Sequence, residues 1–271
     1  MPRKLPDLLK NVDELPAVKS KYISRLPCIA AFCGHTGSGK TYLAVSQIHM
    51  LIKEGSINRL YIISPTCRQN PLLRTIYKAD NPAHYMFEDC SAKVFETLRF
   101  IENDMNSQAE QYADALAYQA AYKRYRAGET VSDSDAYTLE MHGYRVRTAI
   151  RPKALLILDD VQSTAVLSSR QANPFTNLVI KSRWVGQGLG LSIMMLTQSY
   201  KAHAIPRALR LNLTHLAVFR TESREELKNM YAEVGSLVPY DRFIQLYDAA
   251  TLKPHGYMYV DFIRKTITDS F

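Results

Sequence analysis

The 271-residue chain lacks any run of apolar residues near the roughly 18 that a membrane-spanning helix requires. Its opening, MPRKLPDLLKNVDELP, has no apolar stretch of the kind that starts a secretory signal. Both absences point to a soluble, intracellular protein. Cysteine is scarce: Cys28, Cys33, Cys67 and Cys90 fall at no metal-ligand spacing, and the first two lie in an apolar segment where cysteine serves as a small core residue. That spacing argues against a cysteine-held metal site, and a reducing compartment fits better than a secreted setting. Internal repeats and low-complexity tracts are absent, which excludes a solenoid or a disordered scaffold. Acidic residues are in deficit, with 26 Asp and Glu against 34 Lys and Arg, a net charge of +8 and an isoelectric point of about 9.2. Such a surface favours a polyanion, nucleic acid first, although a solvated basic surface has the same composition.

What is present alternates between strand and helix. Residues 1–26, with Pro2, Pro6 and Pro16, read as an arm laid over a core, and residues 27–271 as one large α/β domain. CIAAFC (28–33), RLYIISP (59–65), ALLILDD (154–160), LSIMMLTQ (191–198), HLAVFR (215–220) and GYMYVDFI (256–263) read as strands. The apolar runs at 154–158 and 191–196 do not alternate, as expected of parallel strands covered on both faces. Between the first two strands, Leu43, Ala44, Ile48, Leu51 and Ile52 mark one face of a helix that Gly55 can cap. Residues 91–140 differ in character: no glycine occurs there before Gly128, and alanine, glutamine and tyrosine abound. The segment reads as one long helix or a helical pair inserted between strands. Tyr112, Tyr118, Tyr122 and Tyr125 have spacings that suit packing more than base stacking.

Gly34-His35-Thr36-Gly37-Ser38-Gly39-Lys40-Thr41 matches G-x-x-x-x-G-K-[ST] at every fixed position, after a strand and before an amphipathic helix. Glycines let the backbone turn its N–H groups inward onto phosphate oxygens, and the helix adds the positive end of its dipole. Lys40 then reaches the β- and γ-phosphates of ATP and the Thr41 hydroxyl ligates Mg²⁺, while His35 is loop filler. Asp159 and Asp160 end an apolar strand, at the sheet edge where ligands bind in such folds. Asp159 suits Mg²⁺, and Asp160 suits the orientation or deprotonation of a water. Gln198 ends another core strand and faces the same edge, able to contact the γ-phosphate or that water. Arg170, Arg183, Arg207, Arg210 and Arg220 are candidates for the cation that phosphoryl transfer gains from.

Taken together, GHTGSGKT, LLILDD, the Arg183 step, the strand ending in Thr197-Gln198 and Pro206…Arg210-Leu211-Asn212 resemble the FtsK–HerA superfamily of DNA-pumping ATPases. The likeness, over roughly 27–220, is greatest to the poxvirus-type genome-packaging ATPases of large DNA viruses and their relatives. It implies a P-loop NTPase with a mostly parallel, doubly wound sheet whose core is ordered 5-1-4-3-2, with the helical insertion and an added C-terminal strand outside that core. It implies an ATP- and Mg²⁺-dependent motor, a homo-oligomeric ring (pentamer or hexamer) that drives double-stranded DNA into a preformed capsid. A capsid or portal-type viral protein would be its partner, in the virion or at the assembly site in the host cytoplasm. The resemblance makes Arg183, and after it Arg210, the arginine supplied to a neighbouring subunit. Two departures stand out: Asp-Asp replaces Asp-Glu, so Asp160 must reach further or act through a water, and Trp184 replaces the histidine after Arg183. A nucleoside or nucleotide kinase, and a nucleotide-binding virion assembly protein without DNA translocation, are the alternatives.

Overall fold

The computed structural model describes residues 23–162, 164–168, 173–200, 205–235 and 237–269. The expected N-terminal arm lies, up to residue 22, outside the described residues, as does Arg170. The chain runs β1 (Ile29–Cys33), α1 (Lys40–Lys53), β2 (Arg59–Ile63), α2 (Pro71–Ile76), β3 (His84–Phe87), α3 (Val94–Arg126), α4 (Asp133–Met141) and β4 (Ala154–Asp159). It continues through α5 (Pro174–Lys181), β5 (Leu191–Thr197), the single turn α6 (Arg207–Arg210), β6 (His215–Phe219), α7 (Arg224–Val234), α8 (Tyr240–Ala250), β7 (Tyr257–Asp261) and β8 (Thr266–Thr268).

One sheet holds all eight strands in the order β3-β2-β4-β5-β1-β6-β7-β8. The five strands β6-β1-β5-β4-β2, numbered along the core alone, give the expected 5-1-4-3-2. In detail the sheet is larger: β3 joins in parallel beside β2, and two antiparallel strands, not one, extend the other edge. β3 escaped the sequence reading because HYMF is only partly buried along its length and does not alternate. Residues of the central strands point alternately into two cores. Ala30, Phe32 and Ile157 pack against Ala44, Ile48 and Leu51 of α1 and Leu73 of α2. Ala31, Leu156 and Ile193 face α3, α5, α7 and α8. Both faces are covered, which is why the runs are apolar throughout. Gly55, at φ +70°, ends α1 in the left-handed conformation expected of a glycine there.

α3 is 33 residues long and divides by function within the fold. Val94, Leu98, Ile101 and Met105 bury into the main core. Asp104 fixes that half to the sheet: it takes a forked pair of bonds from Arg59 Nε (2.7 Å) and Nη2 (2.9 Å), and the Tyr61 hydroxyl donates to it as well. Removing one partner would leave a partly buried charge uncompensated. Beyond it, α3 packs instead on α4, where Tyr118, Ala121 and Leu139 form a small separate cluster. Tyr118 is a packing residue, stacked on Tyr122 and donating its hydroxyl to the Arg145 carbonyl at 2.6 Å. Among the described residues no helix is long and apolar enough to cross a membrane.

Candidate nucleotide site

Parallel register sets the position of the candidate residues. Cys33 pairs with Thr197 and Asp159 with Leu196, so β1, β4 and β5 end level with one another. The residues that follow them, Gly34, Asp160 and Gln198, leave the sheet at one carboxyl edge. Gly34 continues the ladder by donating its N–H to the Thr197 carbonyl (3.1 Å). Only glycine fits there: a Cβ would lie 2.6 Å from Ser38 Oγ and 2.7 Å from Phe219 Cβ. Gly37 and Gly39 take φ of +81° and +99°, conformations that side chains disfavour, and so turn the loop into α1. No side chain caps α1 and no acidic residue occupies its first turn, which leaves its N-terminus to an outside anion. Lys40, the first residue of α1, is buried, whereas His35, Thr36 and Gly37 are exposed and Thr41 is half-buried.

Asp159 is 1% exposed. Its Oδ2 accepts from Asn70 Nδ2 (3.4 Å), while Asn70 Oδ1 caps α2 by accepting from Leu72 N at 3.0 Å. Burial, then the adjacent charge of Asp160, pushes the Asp159 carboxyl up to about 6, against the pull of Lys40 and Asn70. Oδ1 of Asp159 and Oδ1 of Asp160 are both buried without a hydrogen-bond partner among the described residues. Asp160 adopts φ +53°, an uncommon conformation for a side-chain-bearing residue. Two orphaned carboxylate oxygens beside a buried lysine are what a hard, oxygen-seeking cation would satisfy. Among the described residues no three His, Cys, Asp or Glu side chains form a complete cage.

Gln198 is exposed at this edge, and its N–H donates to Gln162 Oε1 (3.0 Å). The segment after it is held by a residue the sequence did not single out. Buried Glu226 of α7 accepts from Ser199 Oγ (2.8 Å), the Tyr200 N–H and Thr221 Oγ1 (3.0 Å), tying the end of β5 to the end of β6. A cleft of about 300 Å³ lies there, lined by Gly34, His35, Gln198, Arg220, Thr221 and Glu226 among others. His255, also unforeseen, reaches the loop from the turn between α8 and β7. Its Nδ1 is 3.1 Å from the Ser38 carbonyl.

The arginines separate. Arg183 is exposed in the turn before β5, where the Leu191 N–H donates to the Ser182 carbonyl (2.8 Å), at the amino end of that strand. It is thus at the sheet edge opposite the loop. Arg210 is engaged inside the protomer: Nε donates to Glu233 (2.6 Å), Nη1 to the Ile205 carbonyl (2.7 Å), and the guanidinium lies over the Tyr200 ring. The Tyr200 hydroxyl donates to the same glutamate. These contacts hold Arg210 within its own protomer in this structure. Arg220, exposed, is the one arginine of the set among the described residues that borders the loop clefts.

No family model and no curated protein matches the chain. Solved structures do. The DNA-packaging ATPase B204 of Sulfolobus turreted icosahedral virus superposes with a TM-score of 0.54 at 14% identity, over 89% of this chain and 96% of that one. The genome packaging NTPase B204 of Sulfolobus turreted icosahedral virus 2 in complex with AMP gives 0.52 at 15%, over 89% and 95%. Its complex with ATP-γ-S gives 0.51 at 16%, over 89% and 96%. At such identities the likeness speaks for architecture, and there it agrees with the resemblance drawn from the motifs: the chain has the P-loop NTPase fold of these viral packaging ATPases.

Proposed function

We propose that the protein is an Mg²⁺-dependent ATPase that works as a ring and drives double-stranded DNA into a preformed viral capsid. One observation carries the enzymatic part: a phosphate loop, two aspartates with orphaned oxygens and Gln198 emerge at one sheet edge. Lys40 and the loop N–H groups would hold the β- and γ-phosphates. Thr41 and Asp159 would hold Mg²⁺, which when bound draws charge from the phosphate oxygens. Asp160 would take the proton from the water that attacks the γ-phosphorus, with Gln198 orienting that water, as the bond to the β-bridging oxygen breaks. Lys40→Ala should weaken nucleotide binding and turnover together. Asp160→Asn should bind nucleotide normally yet hydrolyse it slower by about 10²–10⁴-fold. Nucleotide titration beside phosphate-release kinetics separates the two, and an Asp160→Asn protein with wild-type turnover would remove Asp160 from the mechanism.

The fold of packaging ATPases and the +8 charge support the DNA part. A motor that must pass every sequence of a genome is expected to contact phosphates rather than base edges. Duplex DNA should therefore stimulate hydrolysis whatever its sequence. Affinity should fall by about 10³-fold or more between 50 and 200 mM salt if six or more phosphates are contacted. A nucleoside that stimulates in place of DNA would favour a kinase, and indifference to DNA would favour an assembly protein. Ring stoichiometry, and capture by a capsid or portal-type protein at the assembly site, follow from a mass measurement in solution and from packaging in vitro.

A further inference from the structure

We propose that residues 145–150, on the approach to β4, are a docking strand whose free edge takes an extended, acidic peptide of another protein by main-chain pairing. The segment lies apart from the nucleotide site. It leads into β4 at Ala154, the amino end of that strand, whereas Asp159 and the phosphate loop lie at the carboxyl edge. Arg145-Val146-Arg147-Thr148-Ala149-Ile150 has the pattern of a strand, with β-branched residues at every second position. Among the described residues it nevertheless joins no sheet.

From 145 to 153 the chain runs without a turn or bend, and its hydrogen bonds fall on alternate residues. The Arg145 carbonyl accepts from the Tyr118 hydroxyl (2.6 Å), the Arg147 carbonyl from Gln119 Nε2 (3.0 Å) and the Arg151 carbonyl from Asn58 Nδ2 (3.0 Å). Lys153 donates its N–H to Asn58 Oδ1 (2.8 Å) and accepts from the Arg59 N–H (3.2 Å). In an extended chain the N–H and C=O of one residue point to one side, and those of the next residue to the other. The odd-numbered residues are thus held from within, by α3 and by the start of β2. Val146, Thr148 and Ile150 turn their backbone groups the other way, and none of these has a backbone partner among the described residues. Val146 is 76% and Ile150 71% exposed. Such an unpaired row is what an added strand completes, and Pro152, which has no N–H, ends it.

Charge selects the occupant. Between 142 and 153 the chain carries Arg145, Arg147, Arg151 and Lys153 and no acidic residue. Arg147 meets no carboxylate among the described residues: its guanidinium lies over the Tyr118 ring, with Nη1 2.8 Å from His142 Nδ1. A cavity of about 690 Å³ flanks the segment, lined by Tyr112, Asp114, Tyr118, His142, Arg147 and Ile150, among others. Asp114 is the one carboxylate among those lining residues, so acidic side chains of a peptide belong opposite Arg145 and Arg147, not in the cavity. Two copies of the segment paired with each other would bring like-charged arginines together. Phosphates only accept, so DNA would leave the outward carbonyls of Val146, Thr148 and Ile150 unpaired. A peptide offers both donors and acceptors at the spacing of the edge.

Fluorescence anisotropy of the full chain with labelled Val-Glu-Val-Glu-Val-Glu, its Val-Lys counterpart and a short duplex DNA tests this. The acidic peptide should bind about tenfold more tightly than the basic one. Methylating its backbone nitrogens at one alternate set of residues should abolish binding, and at the other set should leave it unchanged, because a paired strand turns every second N–H to its neighbour. Thr148→Pro removes one outward N–H from a segment already extended, and should weaken the acidic peptide about tenfold. Arg145→Glu combined with Arg147→Glu should reverse the preference toward the basic peptide. ATP hydrolysis and melting temperature should stay at wild-type values in both variants. The methylated peptides decide the matter on the wild type even where a variant fails to fold. No binding of the acidic peptide, or equal binding by both methylated forms, would overturn the docking strand. Displacement of the acidic peptide by duplex DNA would give the edge to nucleic acid, and a smaller oligomer in Thr148→Pro would give it to a second copy. Either result would overturn the peptide as its occupant.

Discussion

Asp159→Asn should unfold at a higher temperature than the wild type when free of ligand, and should hydrolyse ATP roughly 10³-fold more slowly or worse. The two effects share one cause. A carboxylate buried to 1% exposure, next to Asp160, is pushed up to about 6 from an ordinary 3.8. The folded protein therefore holds this proton more tightly than the unfolded chain does. Stability from this group is fully present below pH 3.8 and is lost as pH rises through about 6. At neutral pH the ionised, cation-free side chain costs on the order of 2–3 kcal/mol. Asparagine removes the charge and keeps an acceptor for Asn70, but it puts an amide nitrogen where Oδ1 has no partner, which offsets part of the gain. A net stabilisation of about 1–2 kcal/mol raises the melting temperature by roughly 2–8 °C. Thermal scans at pH 7 and pH 5 check the sign, because the advantage should shrink where the wild-type carboxyl is protonated. Mg²⁺ with ATP should stabilise the wild type more than the variant. A variant that melts lower at pH 7 would make Asp159 a structural group and not a cation site.

The conflict at Asp159 also shows which parts of the fold could be read without coordinates. The phosphate loop was legible because its glycines and Lys40 occupy fixed positions and need no distant partner. The core strands were legible because burial on both faces leaves only apolar residues in them. Asp159 and Asp160 could be assigned to the edge because a charge cannot continue such a run. Contacts made only by folding were hidden. Asp104 lies 45 residues from Arg59, Glu226 lies 26 from Tyr200, and His255 lies 217 from Ser38. The segment IPRALRLN reads the same whether Arg210 turns outward or, as here, inward onto Glu233. Conversely, the tyrosine spacing along α3 did suggest packing, yet not that the helix would leave the main core midway and build a second small one with α4.

Arg210's engagement leaves the sharper question to Arg183, whose replacement by alanine should lower turnover by about 10³-fold or more. Arg183 sits before the amino end of β5, and the loop abuts that strand's carboxyl end. A seven-residue strand spans about 23 Å, so no arginine side chain bridges the distance within one protomer. Its neighbour Trp184 is 77% exposed, a large apolar side chain of the type that anchors protein interfaces. Both features fit a residue that acts on an adjacent copy. Mixing then gives a clean test: Arg183→Ala and Lys40→Ala, each inactive alone, should recover hydrolysis together. Recovery arises wherever an intact loop from one copy meets an intact arginine from the next. Native mass measurement must show that mixed rings form. Mixed rings without recovery, or full hydrolysis by a monomer, would remove Arg183 from the neighbour's site. The cation would then be sought within the protomer at Arg220, which borders the loop from the end of β6 and is exposed enough to turn inward. Arg220→Ala would in that event be inactive in every mixture, because a residue acting on its own loop complements Lys40→Ala only by reforming wild-type protomers, which mixing cannot do.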